Sequence, residues 1–250
     1  MTDRKSTQAL IIFLEDQNRD KVQRQFEASL TSEQRGQLYR AFLEDTINNC
    51  LGLNDIEIRI NYPPGPTGDI VSEIVTDLKK NLNGKPLKLI NSNRFRVVKS
   101  SGECVGERMS NAFKSVFDEG FKRVVMIGCV TPTLSRKIVM DAFKKIAKFD
   151  LLIGPTLEGS YYLLAMSRHI SELFDTVDWA DDSAAYGQMT AVSKEREYRW
   201  EEMDLWYDLR QPEDLEFLVR DINQFRLVGD ERSAVRTERI LGDILKNLPS

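Results

Sequence analysis

The sequence predicts an α/β fold built on a mostly parallel sheet with helices on both faces. Short apolar runs without helical spacing alternate along the chain with amphipathic helical segments, which is the pattern of such sheets. At 250 residues, with 41% hydrophobic and 30% charged residues, the chain is long enough to bury one large core. We expect one main domain over residues 1–223 and a charged, helical C-terminal appendage over residues 224–250.

The first part of the chain predicts a central strand followed by helices. Residues 9–14 (ALIIFL) form a short apolar run that is typical of a buried strand. A helical pattern over residues 18–29 precedes a second one over 32–50, which opens with the capping-box pair Thr31 and Gln34. The apolar face of this second helix is expected to pack on the sheet, and its members are Leu38, Phe42, Thr46 and Ile47.

The middle of the chain predicts two further strands and a helix. Residues 56–60 (IEIRI) alternate as a half-exposed strand does, and the Pro- and Gly-rich residues 62–68 form a loop that no helix tolerates. A helix near 69–82 and a strand near 87–91 are expected next. The basic residues 94–99 (RFRVVK) then alternate as an edge strand.

A strongly amphipathic helix over residues 105–119 introduces the second half. It leads into a buried strand over 122–128, whose carboxyl end carries the loop Cys129-Val130-Thr131-Pro132. Further elements are expected near 134–147 (helix), 149–153 and 160–166 (strands), and from about 224 onward (helix).

Composition excludes several classes of function. The net charge of −4 and the pI near 5.3 give no general attraction to nucleic acids or anionic membranes. No apolar run is long enough to span a membrane, and the N-terminal apolar run is too short for a signal peptide. Three widely spaced cysteines and one histidine predict neither a disulfide framework nor a zinc site, so we expect a cytoplasmic protein.

Several motifs together resemble a bacterial family of nucleotide-diphospho-sugar transferases, which have the GT-A fold of glycosyltransferases and include arsenosugar-biosynthesis enzymes. The matching segments occur in the order of that family over roughly residues 8–220. They are ALIIFL (9–14), LYRAFLEDT (38–46), GERMSNAF (106–113), RVVMIG with PTLS (123–128 and 132–135), GPTLEGSYYLLAM (154–166), LF with W (173–174 and 179) and PEDL (212–215). The resemblance implies a GT-A-like α/β fold and transfer of a sugar from a nucleotide-sugar donor with Mg²⁺ or Mn²⁺.

The departures from the family fall on polar positions. The family's Ile-Gly-Ser-Asp-Cys-Pro loop, whose aspartate is implied to hold the metal, has Val130 at that position. The family binds the diphosphate with a Val-Lys-Thr-Arg-Leu segment, in which Gln23 and Gln25 replace the lysine and the arginine here. The family's Asp-Val-Asp-Thr motif near the end of the domain has Arg210 in place of its second aspartate. We therefore expect no metal ligands among the site residues, no bound Mg²⁺ or Mn²⁺ cofactor, and weak or lost sugar transfer.

The resemblance and the residue chemistry give a set of candidate site residues. Glu158 is a candidate to orient an acceptor hydroxyl or act as its base, although it could instead bond local backbone amides. Asp208 is the second catalytic candidate, or a cap of the helix near Pro212. The candidate substrate-binding residues are Gly106, Glu107, Arg108, Gly128, Gly154, Gly159, Tyr161, Trp179 and Arg210.

Other chemistry-bearing residues have plainer interpretations. Cys129 is expected to be a small structural cysteine and not a nucleophile, because no neighbouring base is evident. His169 is expected at the surface or at a helix start. The acids around Trp179 are expected to form a solvated loop with a helix cap, and they are Asp178, Asp181 and Asp182.

Three functions remain open at this point. The first is a glycosyltransferase-like protein that still binds a nucleotide or nucleotide sugar. The second is a non-catalytic scaffold or regulator whose protein partner binds the charged helix within residues 230–246. The third is a metal-independent transferase that uses Arg210 to stabilise the leaving group.

Overall fold

A seven-stranded sheet organises the computed structural model. Among the described residues the strand order is β3-β2-β1-β4-β6-β5-β7. Neighbouring strands are parallel except at β6, which runs antiparallel to both β4 and β5. The structure describes residues 6–15, 30–179, 182–207, 209, 214–228 and 234–246.

Strands and helices alternate along most of the described chain. The strands are β1 (Gln8–Phe13), β2 (Glu57–Tyr62), β3 (Phe95–Lys99), β4 (Arg123–Ile127), β5 (Leu151–Pro155), β6 (Tyr161–Met166) and β7 (Trp200–Glu202). The helices are α1 (Ser32–Cys50), α2 (Thr67–Asn81), α3 (Gly84–Ile90), α4 (Val105–Asp118), α5 (Arg136–Lys145), α6 (Ser171–Thr176), α7 (Ala185–Glu195), α8 (Asp214–Val228) and α9 (Val235–Lys246). The predicted α/β class and mostly parallel sheet are confirmed.

The two faces of the sheet bury separate apolar cores. One core joins β1 and β2 to α1, α2 and α5 through residues such as Leu10, Ile58 and Val139. The other joins the opposite face to α4, α6 and α7, where Ile11 and Phe113 pack. Alternate residues of β1 therefore enter different cores, which is why its sequence is continuously apolar.

Helix α1 packs on two sides. Its N-terminus has the predicted capping box, in which Thr31 and Gln34 exchange hydrogen bonds. Ile47 packs toward the sheet as predicted. Leu38 and Phe42 instead contact a third core formed with α8 and α9, so their assignment to the sheet face was wrong.

Helix α9 docks on α1 through a buried carboxylate. Asp45 is 1% exposed and accepts hydrogen bonds from the backbone N–H groups of Arg236 (3.2 Å) and Thr237 (2.8 Å). These are first-turn donors of α9, so Asp45 supplies the cap that the helix needs. Leu241 and Ile244 of α9 are buried in the third core.

Two other sequence expectations differ from the structure, and two more are not tested by it. Residues 87–91 were predicted as a strand, but they fall in and after helix α3. Strand β2 was predicted to be half-exposed, yet all but its last residue are buried, because its charged side chains pair internally. The expected boundary at 223/224 lies inside α8, so the division into domain and appendage stays a prediction. The helix expected over 18–29 lies outside the described residues.

Within the part of the chain that the structure describes, no helix has the length and apolar character needed to cross a membrane.

Candidate functional site

A cleft opens where the strand order reverses, between the carboxyl ends of β1 and β4. From β1 the chain continues to β2 and β3 on one side, whereas β4 lies on the other, and such switch points form crevices. The empty space of the cleft is about 700 Å³, part of it open to solvent. We call it the switch-point cleft, and it is lined by Phe13, Glu15, Met109, Met126, Ile127, Gly128, Cys129, Val130, Thr131, Ser160, Tyr161 and Tyr162.

The loop after β4 forms one wall and is held from two sides. The carbonyl oxygen of Pro132 accepts a hydrogen bond from Asn49 Nδ2 of α1 at 3.2 Å. The buried hydroxyls of Thr133 and Tyr207 are 2.6 Å apart and share a hydrogen bond. Helix α5 then begins with Ser135 as its cap. The loop therefore gives the cleft a wall that is held in place from both sides.

Two glycines near the cleft, Gly128 and Gly154, have different surroundings. A Cβ on Gly128 would meet no atom within 4 Å, so the space before it belongs to the cleft. A Cβ on Gly154 would lie 2.7 Å from the ring of Tyr162, so this glycine lets β5 pack against β6. Tyr162 donates its hydroxyl to the carbonyl oxygen of Asp204 at 2.9 Å, and burial raises its pKa, so it stays a neutral donor.

An aromatic group supports the opposite wall. Tyr161 lies edge-on to Trp179, with ring centroids 5.7 Å apart, and its hydroxyl is 3.4 Å from the sulfur of Met109. Gly106 makes room for Trp179, because a Cβ there would lie 2.4 Å from the indole. The predicted residues Gly106, Tyr161 and Trp179 are thus brought together, and Tyr161 reaches the cleft.

Glu107 and Arg108 stabilise the start of α4 and are not among the residues that line the cleft. The carboxylate of Glu107 accepts a hydrogen bond from the backbone N–H of Glu103 at 2.7 Å, and its own N–H bonds the sulfur of Cys104. Arg108 is 7% exposed and donates to the carbonyl oxygen of Glu103 at 3.4 Å. Their described contacts are those of a helix cap, and a binding role for them stays a prediction.

The turn between β5 and β6 carries Glu158. Gly159 adopts φ of +82°, and a Cβ there would lie 2.5 Å from the carbonyl oxygen of Ser183, so only glycine fits. Glu158 is exposed in this turn and does not line the cleft. Three further residues singled out in the sequence, Asp208, Arg210 and Asp181, lie outside the described residues. His169 lies just before α6, and its Nε2 is 3.0 Å from the hydroxyl of Ser110, with which it shares a hydrogen bond.

Sequence reasoning missed Glu15, Met109 and Ser160 as lining residues. Glu15 follows β1, and a polar residue at the carboxyl end of a central strand was the available signal. Met109 and Ser160 offered no such signal, since a methionine on an apolar stripe and a serine in a turn are common elsewhere.

The described residues do not fit a divalent cation. Mg²⁺ and Mn²⁺ prefer several oxygen ligands, whereas Glu15 is the one carboxylate among the described residues that line the cleft. Nowhere among the residues described do three or more histidine, cysteine or acidic side chains gather closely enough to hold a metal. Position 130, implied by the resemblance to carry an aspartate, presents a valine to the cleft.

Comparisons with known proteins confirm the fold. A family model described as "Uncharacterized protein conserved in bacteria (DUF2064)" matches residues 71–181, which include α4 and the loop after β4. The "putative nucleotide-diphospho-sugar transferase" from Desulfovibrio desulfuricans G20 superposes with a TM-score of 0.73 at 21% identity, covering 96% of this chain and 97% of that one. These two findings confirm the resemblance given by the sequence.

Nucleotidyltransferase structures are also similar to this chain. A cytidylyltransferase from Leptospira borgpetersenii has a TM-score of 0.52 at 17% identity, with 97% of this chain and 98% of that chain covered. The 4-diphosphocytidyl-2C-methyl-D-erythritol synthase from Anaerococcus prevotii has a TM-score of 0.51 at 14% identity, covering 84% and 92%. No curated protein matches the sequence. At these identities the likeness establishes a GT-A-like fold.

Proposed function

We propose that this chain is a nucleotide-diphospho-sugar transferase-like protein that binds a nucleotide or nucleotide sugar in the switch-point cleft, with weak or lost sugar transfer. The observation that carries this proposal is the open cleft at the strand-order reversal, lined by apolar and hydroxyl side chains. The likeness to transferases of nucleotide sugars and nucleotides supports the same ligand class.

We expect sugar transfer to be weak or lost because the described cleft residues do not stabilise the charge of the leaving diphosphate. A transferase of this kind must stabilise a departing diphosphate, generally with a divalent ion or cationic side chains. In the described lining, the side chain of Val130 offers no oxygen ligand for a metal, and the carboxylate of Glu15 does not stabilise a departing diphosphate. We keep Glu158 in the proposal as a residue that orients an acceptor hydroxyl, because it lies on the exposed turn just before the cleft residues 160–162.

The scaffold alternative lacks a specific observation in its favour. The apolar side chains Leu241 and Ile244 of α9 pack inside the molecule and are not available to a partner. The proposed location is the cytoplasm, since none of the three cysteines, Cys50, Cys104 and Cys129, forms a disulfide, as a reducing compartment favours.

Filling the cleft is expected to abolish nucleotide binding. Gly128→Leu places an isobutyl group into open space, so the fold should tolerate it while the ligand is displaced. Thermal shift and calorimetry with UDP-, GDP-, CDP- and ADP-sugars, with and without Mn²⁺, should show binding by the unmodified chain and at least about tenfold weaker binding by Gly128→Leu.

The matched control is Gly36→Leu in α1, where a Cβ also meets no atom within 4 Å. It should bind as the unmodified chain does. If no nucleotide sugar shifts the unmodified chain at millimolar concentration, or if Gly128→Leu binds equally well, the proposed function is wrong.

Adding a carboxylate at position 130 is expected to create manganese affinity. Val130→Asp would face the cleft together with Glu15 and supply a second oxygen donor. Calorimetric titration with MnCl₂ should show an affinity at least about tenfold above that of the unmodified chain. Val97→Asp, on the exposed edge strand β3, serves as the control. Equal manganese affinity in both variants would show that residue 130 does not occupy the metal position.

A further inference from the structure

A second groove is formed by the turn between β5 and β6, the chain that follows β7 and one face of helix α8. Its empty space is about 790 Å³, part of it open to solvent, and small-molecule sites occupy roughly 300–1,000 Å³. Among the described residues, it has no lining residue in common with the switch-point cleft. We call it the aromatic groove, and it is lined by Leu157, Leu205, Trp206, Tyr207, Phe217, Arg220, Asp221 and Gln224.

Three aromatic rings form a row along the groove. The rings of Trp206 and Tyr207 are stacked, with centroids 5.7 Å apart and an angle of 15° between their planes. Phe217 continues the row, and its centroid lies 6.1 Å from that of Tyr207. The hydroxyl of Tyr207 is bonded to that of Thr133, so the middle ring is held in place. Such rings offer a flat apolar surface at a low cost in conformational entropy.

Polar side chains of α8 lie beside these rings. Residues 217, 220, 221 and 224 have the spacing of one helix face, so the polar groups share the groove with Phe217. The guanidinium carbon of Arg220 lies 5.1 Å from the centroid of the Phe217 ring. Arg220 supplies hydrogen-bond donors, the carboxylate of Asp221 supplies acceptors, and the amide of Gln224 supplies both.

Exposed leucines surround the same groove. Leu157 is 60% exposed and Leu205 is 55% exposed, although both line the groove. Leu227, which is 88% exposed, lies on α8 three residues beyond Gln224. Large apolar side chains that gather at a groove with polar residues around it indicate a surface that binds a ligand.

We propose that the aromatic groove binds a carbohydrate, with the apolar face of a pyranose ring packed on Trp206 and Phe217. The hydroxyls of the sugar then form hydrogen bonds with Asp221 and Gln224. A pyranose has a face of C–H groups and an edge of hydroxyls that both donate and accept, so it uses the rings and the polar side chains together. An aliphatic chain or an apolar helix would instead desolvate Arg220 and Asp221 without giving them partners.

This inference goes beyond the proposed function and does not depend on it, because the nucleotide is assigned to the switch-point cleft. Saturation-transfer NMR tests it with the full chain and with methyl glycosides of glucose, galactose, mannose and N-acetylglucosamine at millimolar concentration. We expect at least one of them to bind, with saturation strongest on the C–H groups of one ring face. Hexanol, an alkyl chain without a sugar ring, should bind at least about tenfold more weakly than that glycoside.

The variant Phe217→Leu separates an aromatic surface from one that is only apolar. Leucine keeps an apolar side chain against the third core but removes the flat ring, so the affinity for the glycoside should fall at least about fivefold. Gln224→Ala removes hydrogen bonds to the hydroxyls and should cause a similar loss. Because Gln224 is exposed, this variant keeps the test decisive even if Phe217→Leu does not fold.

Asn223→Ala is the matched control for Gln224→Ala. It removes an amide from the neighbouring exposed position of α8, which is not among the residues that line the groove, and should bind the glycoside as the unmodified chain does. Gly128→Leu, which fills the switch-point cleft, should also keep the affinity for the glycoside.

Each other outcome overturns the inference. Absence of binding by every glycoside, or hexanol binding as tightly, would show that the groove does not recognise a sugar ring. Full affinity in both Phe217→Leu and Gln224→Ala, or loss of the glycoside in Gly128→Leu, would place the sugar elsewhere. The proposed function is tested separately by nucleotide-sugar binding, which Phe217→Leu and Gln224→Ala should leave unchanged.

Discussion

Replacing Arg59 by alanine is expected to lower the free energy of unfolding by about 3 kcal/mol, because it removes the nearest cation from the buried carboxylate of Glu57, which keeps a 3.3 Å contact with Arg96. Arg59 is 3% exposed, and its guanidinium lies 2.7 Å from Glu57 and 2.6 Å from Glu119. It also stacks over Phe121 at 5.3 Å. Glu57 is itself 5% exposed, so water cannot replace the lost partner. Urea denaturation followed by circular dichroism measures the loss.

The control for this variant is Arg94→Ala. Arg94 lies 3.8 Å from the fully exposed Asp55, and an exposed pair of this kind contributes at most about 1 kcal/mol. Equal losses for the two variants would contradict the view that burial makes the Arg59 pairs matter.

The same pairing gives the unmodified chain an acid-side dependence. Hydrogen bonds from Arg59 hold the pKa of Glu119 below its ordinary value of 4.5, with Arg96 contributing further. A depressed pKa means that this stability is fully present above pH of about 4.5 and is lost as the pH falls through the folded pKa. The Arg59→Ala variant should therefore lose less stability between pH 5 and pH 3, by roughly the part that Glu119 contributes.

Replacing Asp45 by alanine is expected to cost about 2–3 kcal/mol and to release α9 from α1. The change removes the acceptor for the backbone N–H groups of Arg236 and Thr237, and the N–H of Thr237 then lies buried without that partner. It also removes an ion pair with Arg236 at 3.4 Å. Urea denaturation should show the loss, and hydrogen exchange should show faster exchange of the amides of α9.

Asp243→Ala is the control for Asp45→Ala. Asp243 lies on α9, and its side chain is 63% exposed. Its replacement should therefore change the midpoint of urea denaturation little. If the α9 amides stay protected in Asp45→Ala, the carboxylate does not hold this helix in place.

The helices and central strands could be predicted because their periodicity is local. The stripe of α4 and the capping box of α1 are written in consecutive residues, so no tertiary information is needed. Residues 84–90 were less tractable, because a short apolar run fits a strand and a buried helix equally well. The packing of Leu38 and Phe42 depends on helices about 180 residues away, which the local pattern does not contain.

In strand β2 the charged residues led to a wrong prediction of exposure, because their partners lie far away in the sequence. Glu57 and Arg59 alternate with isoleucines, and that pattern normally places charges in solvent. Here the partner carboxylate of Glu119 comes from the end of α4, so the charges are paired inside the protein. The pairing joins residues 60 positions apart, and the sequence alone gives no sign of it.

The position of the candidate site could be predicted from the sequence, but only some of the residues that line it could. The carboxyl edge after β4 was identified because strand ends of parallel sheets form crevices, and Gly128 lies there. Tyr161 was also identified, through the resemblance. Glu107 and Arg108 share their motif with Gly106, yet their described contacts are within the start of α4. Glu15 was missed because the adjoining strand was read only for its apolar content.

Diffraction from crystals soaked with the best-binding nucleotide sugar and MnCl₂, with anomalous data at the manganese edge, tests the central claim most directly. We expect the nucleotide sugar in the switch-point cleft and no ordered manganese peak beside Val130. A manganese ion bridging the diphosphate to protein oxygens at that position would contradict it.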